Sequence, residues 1–436
     1  MAPKNLLTPD QLAAAAFKHL PDGPLVVALG GGADSAVAAF VAARRTGTRG
    51  VFVRHYLTGS ADLEKAALEV GDTVGIDVVV VDAPVEPGPS LEGRARTARW
   101  DAISREVGEN ETVVTGHTQD DQAETVLMNL LRGSGNSGIA GMRRSRPGVV
   151  RPLLEFSRSD LRDVAEELEL PFVDDPANDD PVHLRNRVRS DLMPALERDY
   201  RPGVRKVLAR VGSLAAADDA VIENLAADIP LIDDAGAVLI PSAVLVTTPR
   251  PVATRAVRGA LRRLLAPYAG TTADVDAVLA VAEERSDTVT LSNALIVKRE
   301  GPFTAIIRAQ IPTPAPTPVA IMVPSRIRFG GFEVGFESVE GPLVTRRSTV
   351  LVDPAIFEGD AAVSGSAEGD RIDIESGSKA IRTVLAEHDV PVRLRPGWPV
   401  IAVGGRIAAV IGIRVAPWAK PTSRRVVAVT RERGHS

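Results

Sequence analysis

Residues 25–37 read LVVALGGGADSAV: an apolar run, three glycines, then an aspartate. Leu25–Leu29 has the pattern of a buried strand, and Ala36–Arg45 that of a helix. Gly30, Gly31 and Gly32 supply the tight turn between them. Such a turn aims backbone N–H groups and a helix N-terminus at an anion, and phosphate is the expected one. No Lys-Ser or Lys-Thr pair follows the glycines, so this is not the common mononucleotide loop. A dinucleotide fingerprint needs an acid near the end of the second strand, but that strand ends VFVRHY at 51–56.

Working outward, the first third of the chain alternates strand and helix. Strands are expected at Leu25–Leu29, Gly50–Arg54, Asp77–Val81 and Thr112–Thr115, with helices at Ala33–Arg45, Ala61–Thr73, Ser90–Val107 and Asp121–Leu131. This is an α/β pattern: a mostly parallel sheet with helices on both faces and ligands outside the carboxyl ends of its strands. Beyond it come a short helix at Ser157–Leu168 and the turn-rich PFVDDPANDDP. An arginine-rich helix at Arg185–Tyr200 is broken by Pro202 and Gly203, and a further helical stretch runs through Ala217. The expected division is a catalytic domain over 1–215, a mainly helical middle domain over 216–311 and, after the linker PTPAPTP, a small α+β domain over 319–436.

A chain of 436 residues is too long for one ordinary core, which agrees with several domains. It has no cysteine, so thiolate metal sites, disulfides and persulfide relays are excluded. The N-terminus MAPKNLLTPDQLAAAAF lacks a long apolar segment, and no apolar run reaches the ~18 residues of a membrane span. A cytoplasmic location away from membranes is expected. The net charge of −5 is unevenly spread: Ser376–Ser436 carries 11 Lys/Arg against 3 Asp/Glu. Arg250, Arg255, Arg258, Arg262 and Arg263 form a second basic run without an acid. Either run alone suits a solvated surface; two of them favour a polyanionic partner.

The chemistry concentrates after the strand Thr112–Thr115, where His117, Asp120, Asp121 and Glu124 follow one another. Asp120 and Glu124, four apart, can share a helix face. These acids have two readings: capping of the helix, or binding of a divalent cation that offsets their repulsion from phosphate. Asp34, an acid in the other strand–helix turn, favours the cation, with Asp34, Asp121 and Glu124 as candidate Mg²⁺ ligands. Arg132 ends the helix in LLRGSGNSGIAGM, where a guanidinium either holds a phosphate or carboxylate or is solvated. Arg96 and Arg99, three apart on a helix, suit an anion or an ordinary surface pair; the isolated His55 and His183 carry little information.

Taken together, GGGADS at 30–35, GHTQDDQAETVLMNLLRGSGNSGIAGM at 116–142, RPLLEFSR at 151–158 and DDPANDDPVHLRNRVRSDLMPALE at 174–197 resemble the tRNA(Ile)-lysidine synthetases of the PP-loop ATP-pyrophosphatase family. LEGRARTARW at 91–100 matches more weakly, and Gly369–Val415 resembles the family's last domain. The resemblance implies ATP-dependent attachment of free L-lysine to C2 of the wobble cytidine of an isoleucine tRNA with anticodon CAU, through an adenylated tRNA. It implies that Gly30, Gly31, Gly32, Ala33, Asp34 and Ser35 bind ATP, and that Asp34, Asp120 and Arg132 contact ATP or lysine beside His117. Asp120 is expected to hold an amino group of lysine, and Arg132 its carboxylate. Arg185, Asn186, Arg187 and Arg189 belong to the motif facing the tRNA and the active-site mouth. Arg96 and Arg99 on one side, and Arg255, Arg258 and Arg262 on another, are further tRNA contacts. Oligomeric state is left open, a homodimer included. Gly30 stands where the family usually has serine, Thr118 where a second histidine is usual, and Tyr56 where HGL has glycine. A tRNA-binding paralogue without catalysis is one alternative; a PP-loop thiolase is another, disfavoured by the absence of cysteine.

Overall fold

The computed structural model describes residues 7–56, 59–85, 91–174, 184–234, 236–308, 316–340 and 348–433. The chain divides into two compact units, Met1–Val221 and Ile222–Ser436.

The first unit opens with α1 (Pro9–Phe17), capped by Thr8 and Gln11 in a reciprocal capping box. It continues β1 (Leu25–Leu29), α2 (Ala33–Ala42), β2 (Arg49–Arg54), α3 (Ser60–Val74), β3 (Val78–Asp82), α4 (Leu91–Glu106), β4 (Thr112–Thr115) and α5 (Gln119–Leu131). A short α6 (Asn136–Ile139), the strands β5 (Ser145–Arg146) and β6 (Val149–Val150), and α7 (Arg158–Glu167) follow. The six-stranded sheet runs β3-β2-β1-β4-β6-β5, parallel except for β5 against β6. Leu25, Val27 and Leu29 pack on one face with Val37, Val41, Leu153 and Leu161; Val26, Val51 and Val113 pack on the other with Ala102 and Ile103. Alternate β1 side chains thus feed two cores, as a sheet covered on both faces requires.

The expected strands are present to within a residue. α5 starts two residues earlier than expected because Thr118 and Asp121 form its capping box. The arginine-rich stretch after Leu184 is helical with π-type turns at Val188–Leu192 and Leu196–Tyr200. Val204–Ala227 is one continuous helix, so the expected boundary near residue 215 falls inside it. Gly212 does not break that helix: a Cβ there would lie 2.8 Å from the Val126 side chain, so the glycine serves close packing. Among the described residues, no helix is long and apolar enough to cross a membrane.

In the second unit, Arg250–Leu265 and Thr272–Ala282 pack in one core with Val238, Ile240, Leu295, Val297 and Ile306 from an antiparallel five-stranded sheet. The strands of this sheet are Ile232–Asp234, Ala237–Pro241, Thr288–Thr290, Leu295–Glu300 and Phe303–Arg308. Residues 319–433 form a seven-stranded and a four-stranded sheet around a core that includes Phe329, Phe336 and Trp398. The α-helix Ile381–Glu387 lies in this region. Residues 312–315 of the expected linker lie outside the described residues.

Candidate active site

The carboxyl ends of β1, β2 and β4 open into a cavity of about 690 Å³ lined by Gly30, Gly32, Ala33, Asp34, Ser35, Val53, Thr115, Gly116 and His117. Arg96, Arg99 and Trp100 of α4 and Arg158, Ser159 and Arg162 of α7 line it too, with Arg189. Gly31 turns with φ +77°, and a Cβ there would sit 2.5 Å from the Leu63 carbonyl oxygen. Only glycine fits. The Gly30 N–H donates to Ser35 Oγ at 3.1 Å, and that hydroxyl donates to the Gly32 carbonyl at 2.8 Å, closing the loop on itself. Ser35 therefore supplies the hydroxyl that braces a loop beginning with glycine. No side chain caps α2, so its first N–H groups stay available to an anion.

Asp34 sits in the first turn of α2 but does not cap it. Its Oδ2 accepts from Arg158 Nε at 3.2 Å, while its Oδ1 is buried without a partner. Burial raises the Asp34 carboxyl to about 6, Asp121 and Asp120 pushing the same way against Arg158. Gly116 lets the β4–α5 loop approach this turn; a Cβ on it would be 2.6 Å from the Asp34 carbonyl oxygen.

Behind Asp34 lies a dense ionic cluster. Asp121 is 6% exposed and Glu124 is fully buried. Asp121 Oδ1 meets Arg158 Nη2 at 2.9 Å, Arg185 Nη2 at 3.0 Å and Arg189 Nη2 at 3.3 Å. Glu124 accepts from Arg185 Nε at 3.0 Å and Arg189 Nε at 2.8 Å, with Arg158 Nη1 3.8 Å away. Asp121 Oδ2 takes the N–H and hydroxyl of Thr118. Burial alone would raise the Asp121 carboxyl, but Arg158 and Arg185 outweigh it and hold it at about 2. Asp120 is satisfied separately, by the Arg158 backbone N–H at 2.8 Å and Arg205 Nη1 at 3.2 Å. His117 Nδ1 pairs with Thr115 Oγ1 at 2.7 Å; burial first, then the charges of Arg151, Arg185 and Arg96, lower the imidazole to about 4. It is neutral near pH 7.

These positions change several expectations. Asp121 and Glu124 are not poised metal ligands, since guanidinium groups hold their oxygens; among the described residues no cluster of three metal-ligating side chains occurs. Asp121 is part of the α5 capping box, so the capping reading holds for it and fails for Asp34. Asp120 and Arg132 stand at opposite ends of the helix, about 18 Å apart along its axis. Arg132 is an exposed C-cap residue outside the cavity lining. Arg255 is ion-paired with Glu223, and Arg258 donates to the carbonyls of Ala269 and Gly270, so two of the three expected tRNA arginines have structural work. Arg262 is exposed, as is Arg187, whereas Asn186 is buried. His55 is a core histidine on the Ala83 carbonyl; His183 lies outside the described residues.

Sequence reasoning missed Arg158 and Arg205. RPLLEFSR carried the signal for the first, because an N-cap serine at 157 puts Arg158 on the first turn of α7. Tyr56, at the usual glycine position, adopts φ +59° and donates its hydroxyl to Asp82 at 2.8 Å.

The PP-loop domain family matches residues 8–196, and the TilS substrate C-terminal domain family matches residues 363–427. The tRNA(Ile)-lysidine synthase of Salinispora arenicola is 43% identical over 227 residues, 48% of this chain and 68% of that protein. The chain belongs to the tRNA(Ile)-lysidine synthase family. The enzyme of the same name from Alkalilimnicola ehrlichii is 37% identical over 240 residues, 52% of this chain and 54% of that one. Among solved structures, the U34-tRNA thiolase NcsA from Methanococcus maripaludis is 20% identical over 48% of this chain and 78% of that chain, with a TM-score of 0.40. The glycine turn between β1 and α2 and the buried acids of α5 both lie within the stretch matched by the PP-loop domain family.

Proposed function

We propose that this chain ligates L-lysine to C2 of the wobble cytidine of isoleucine tRNA with anticodon CAU, consuming ATP and releasing pyrophosphate and AMP. The observation that carries this reading is the adjacency of an anion cradle, Gly30–Ser35, to a buried carboxylate pair, Asp121 and Glu124, occupied by cationic side chains. One side suits a triphosphate and the other an ammonium.

In the first half-reaction the cytidine C2 oxygen bonds to the α-phosphorus and pyrophosphate leaves. The α2 amides and Arg96 and Arg99 on the opposite wall hold and orient the phosphates. Asp34 Oδ1, a buried carboxylate oxygen without a partner, fits Mg²⁺, which binds through one or two carboxylates plus substrate phosphates. Bound there, Mg²⁺ would supply charge neutralisation at the phosphates. In the second half-reaction the lysine ε-amine bonds to C2, and AMP leaves with the former C2 oxygen. That amine starts as an ammonium with a pKa near 10.4, so a proton must go. Asp121 and Glu124 would hold and orient that ammonium before the proton goes. The exposed basic residues of the second unit, Arg262 among them, suit the tRNA backbone.

Mass analysis of isoleucine tRNA after incubation with the protein, ATP and lysine tests the reading. Addition of one lysyl group at the wobble cytidine is expected, dependent on both small substrates. Unmodified tRNA under conditions where tRNA and ATP both bind would assign the chain to the non-catalytic alternative.

A further inference from the structure

The oxygens of the Asp121–Glu124 pair are already taken by cations. Two carboxylates face three guanidinium groups, those of Arg158, Arg185 and Arg189. An ammonium brought to this pair must displace a guanidinium group from one of these oxygens. Of the three, Arg158 is the one that also touches the nucleotide cradle, through Nε on Asp34 Oδ2 at 3.2 Å. Its backbone is pinned: it opens α7 behind the Ser157 cap, and its N–H is held by Asp120. Its side chain is one-third exposed and lines the cavity.

We propose that Arg158 is a positioning residue that makes lysine binding conditional on the nucleotide. Without a triphosphate, the Arg158 guanidinium bridges Asp34 to Asp121 and keeps the amine site closed. A triphosphate in the cradle offers it a bidentate phosphate partner within reach of the cavity wall. Turning toward the phosphate takes one cation off the carboxylate pair and opens the ammonium position. No bond is made or broken; the coupling is an exchange of ionic partners between two sites. It rests on the ligase reading and sets the order of substrate binding within it. The advantage is chemical: lysine is bound beside the reaction centre only once an activating nucleotide is there.

Calorimetric titration of lysine into the full chain, with and without Mg²⁺ and α,β-methylene-ATP, reads this coupling. For the wild type we expect lysine affinity to rise about tenfold or more with the analogue, and by linkage lysine to raise analogue affinity by the same factor. In Arg158→Gln, lysine should bind without nucleotide, and the ratio should fall to within about twofold of unity. Arg158→Lys keeps the charge but loses the fork that spans three carboxylates, so its ratio should fall between the two; it decides the matter should the Gln variant not fold. A wild-type ratio near one, or a wild-type ratio retained in the variants, overturns the proposal and leaves the ligase reading standing. Absence of lysine binding to the wild type under every condition, tRNA included, overturns the ligase reading itself.

Discussion

Arg158 and Asp34, 124 positions apart in the chain, are joined by a hydrogen bond of 3.2 Å. The bond links the turn after β1 to the first turn of α7, so the anion cradle and the acid–arginine cluster share a side chain. It reaches only one of the two Asp34 oxygens, and the other stays buried without a partner. A helix cap would use that oxygen; a cation-binding residue keeps it in reserve.

Asp34→Asn separates those roles. The residue caps nothing, so the variant should fall short of the 0.5–2 kcal/mol that loss of a cap costs. Pyrophosphate release should nevertheless be abolished. Urea unfolding alongside a pyrophosphate assay checks both, and normal turnover in the variant would return Asp34 to a structural role.

Gly116→Ala should damage the cradle without touching a charge. The new methyl would meet Asp34 backbone atoms at 2.6 and 2.7 Å and Ser35 N at 2.9 Å, none of which is the end of a flexible side chain. The turn must shift, and nucleotide affinity should fall at least tenfold (about 1.4 kcal/mol). Gly93→Ala on α4, where a Cβ meets nothing within 4 Å, is the control and should bind nucleotide normally.

How legible this site was depends on whether its signal was local. The glycine turn, the β1 strand and the acids after β4 stand in contiguous motifs, and their periodicity placed them on the correct edge of the sheet. Partner choice was not legible. Nothing in TQDDQAE says that Asp121 faces Arg158, Arg185 and Arg189, because those contacts close over 37 to 68 residues. The same gap explains Arg258: three arginines on one face of a helix look like a nucleic-acid stripe until the carbonyls of Ala269 and Gly270 appear beside one of them. Nor does the stretch show how far Arg132 lies from the α5 acids, since sequence proximity on a helix is separation along its axis.

Acid sensitivity of the first unit should trace in part to Glu111. Hydrogen bonds from Arg49 lower its carboxyl to about 2 against burial, with the Gly108 N–H assisting. The folded-state value lies below the unfolded value near 4.5, so this stabilisation is complete above about pH 4.5 and is lost as pH falls toward 2. Glu111→Gln should therefore be less stable than wild type at pH 7, with the difference shrinking by pH 3. Urea midpoints at several pH values measure it; a difference independent of pH would remove the ion pair as its cause.

The second unit offers the sharpest stability test. Arg393 is 5% exposed, and its guanidinium is shared between Asp234, at 2.6 Å, and Glu300, at 3.1 Å, which are 4% and 7% exposed. It also donates to the Asp234 carbonyl at 2.8 Å. The two acids stand on strands Ile232–Asp234 and Leu295–Glu300 of the five-stranded sheet, whereas Arg393 lies in the short turn Val392–Leu394 beside the C-terminal sheets. Removing this cation takes the guanidinium from both buried carboxylates and leaves Glu300 to Lys298, 3.3 Å away, so Arg393→Met should cost about 3 kcal/mol. Replacing all three by apolar residues removes the charges together and should restore most of that loss. Calorimetry of the full chain should show the single variant losing stability in the transition of residues 222–433, with nucleotide binding by the first unit unchanged. A loss below about 1 kcal/mol, the range of an exposed pair, would mean that water reaches the triad and that packing alone unites the two cores of this unit.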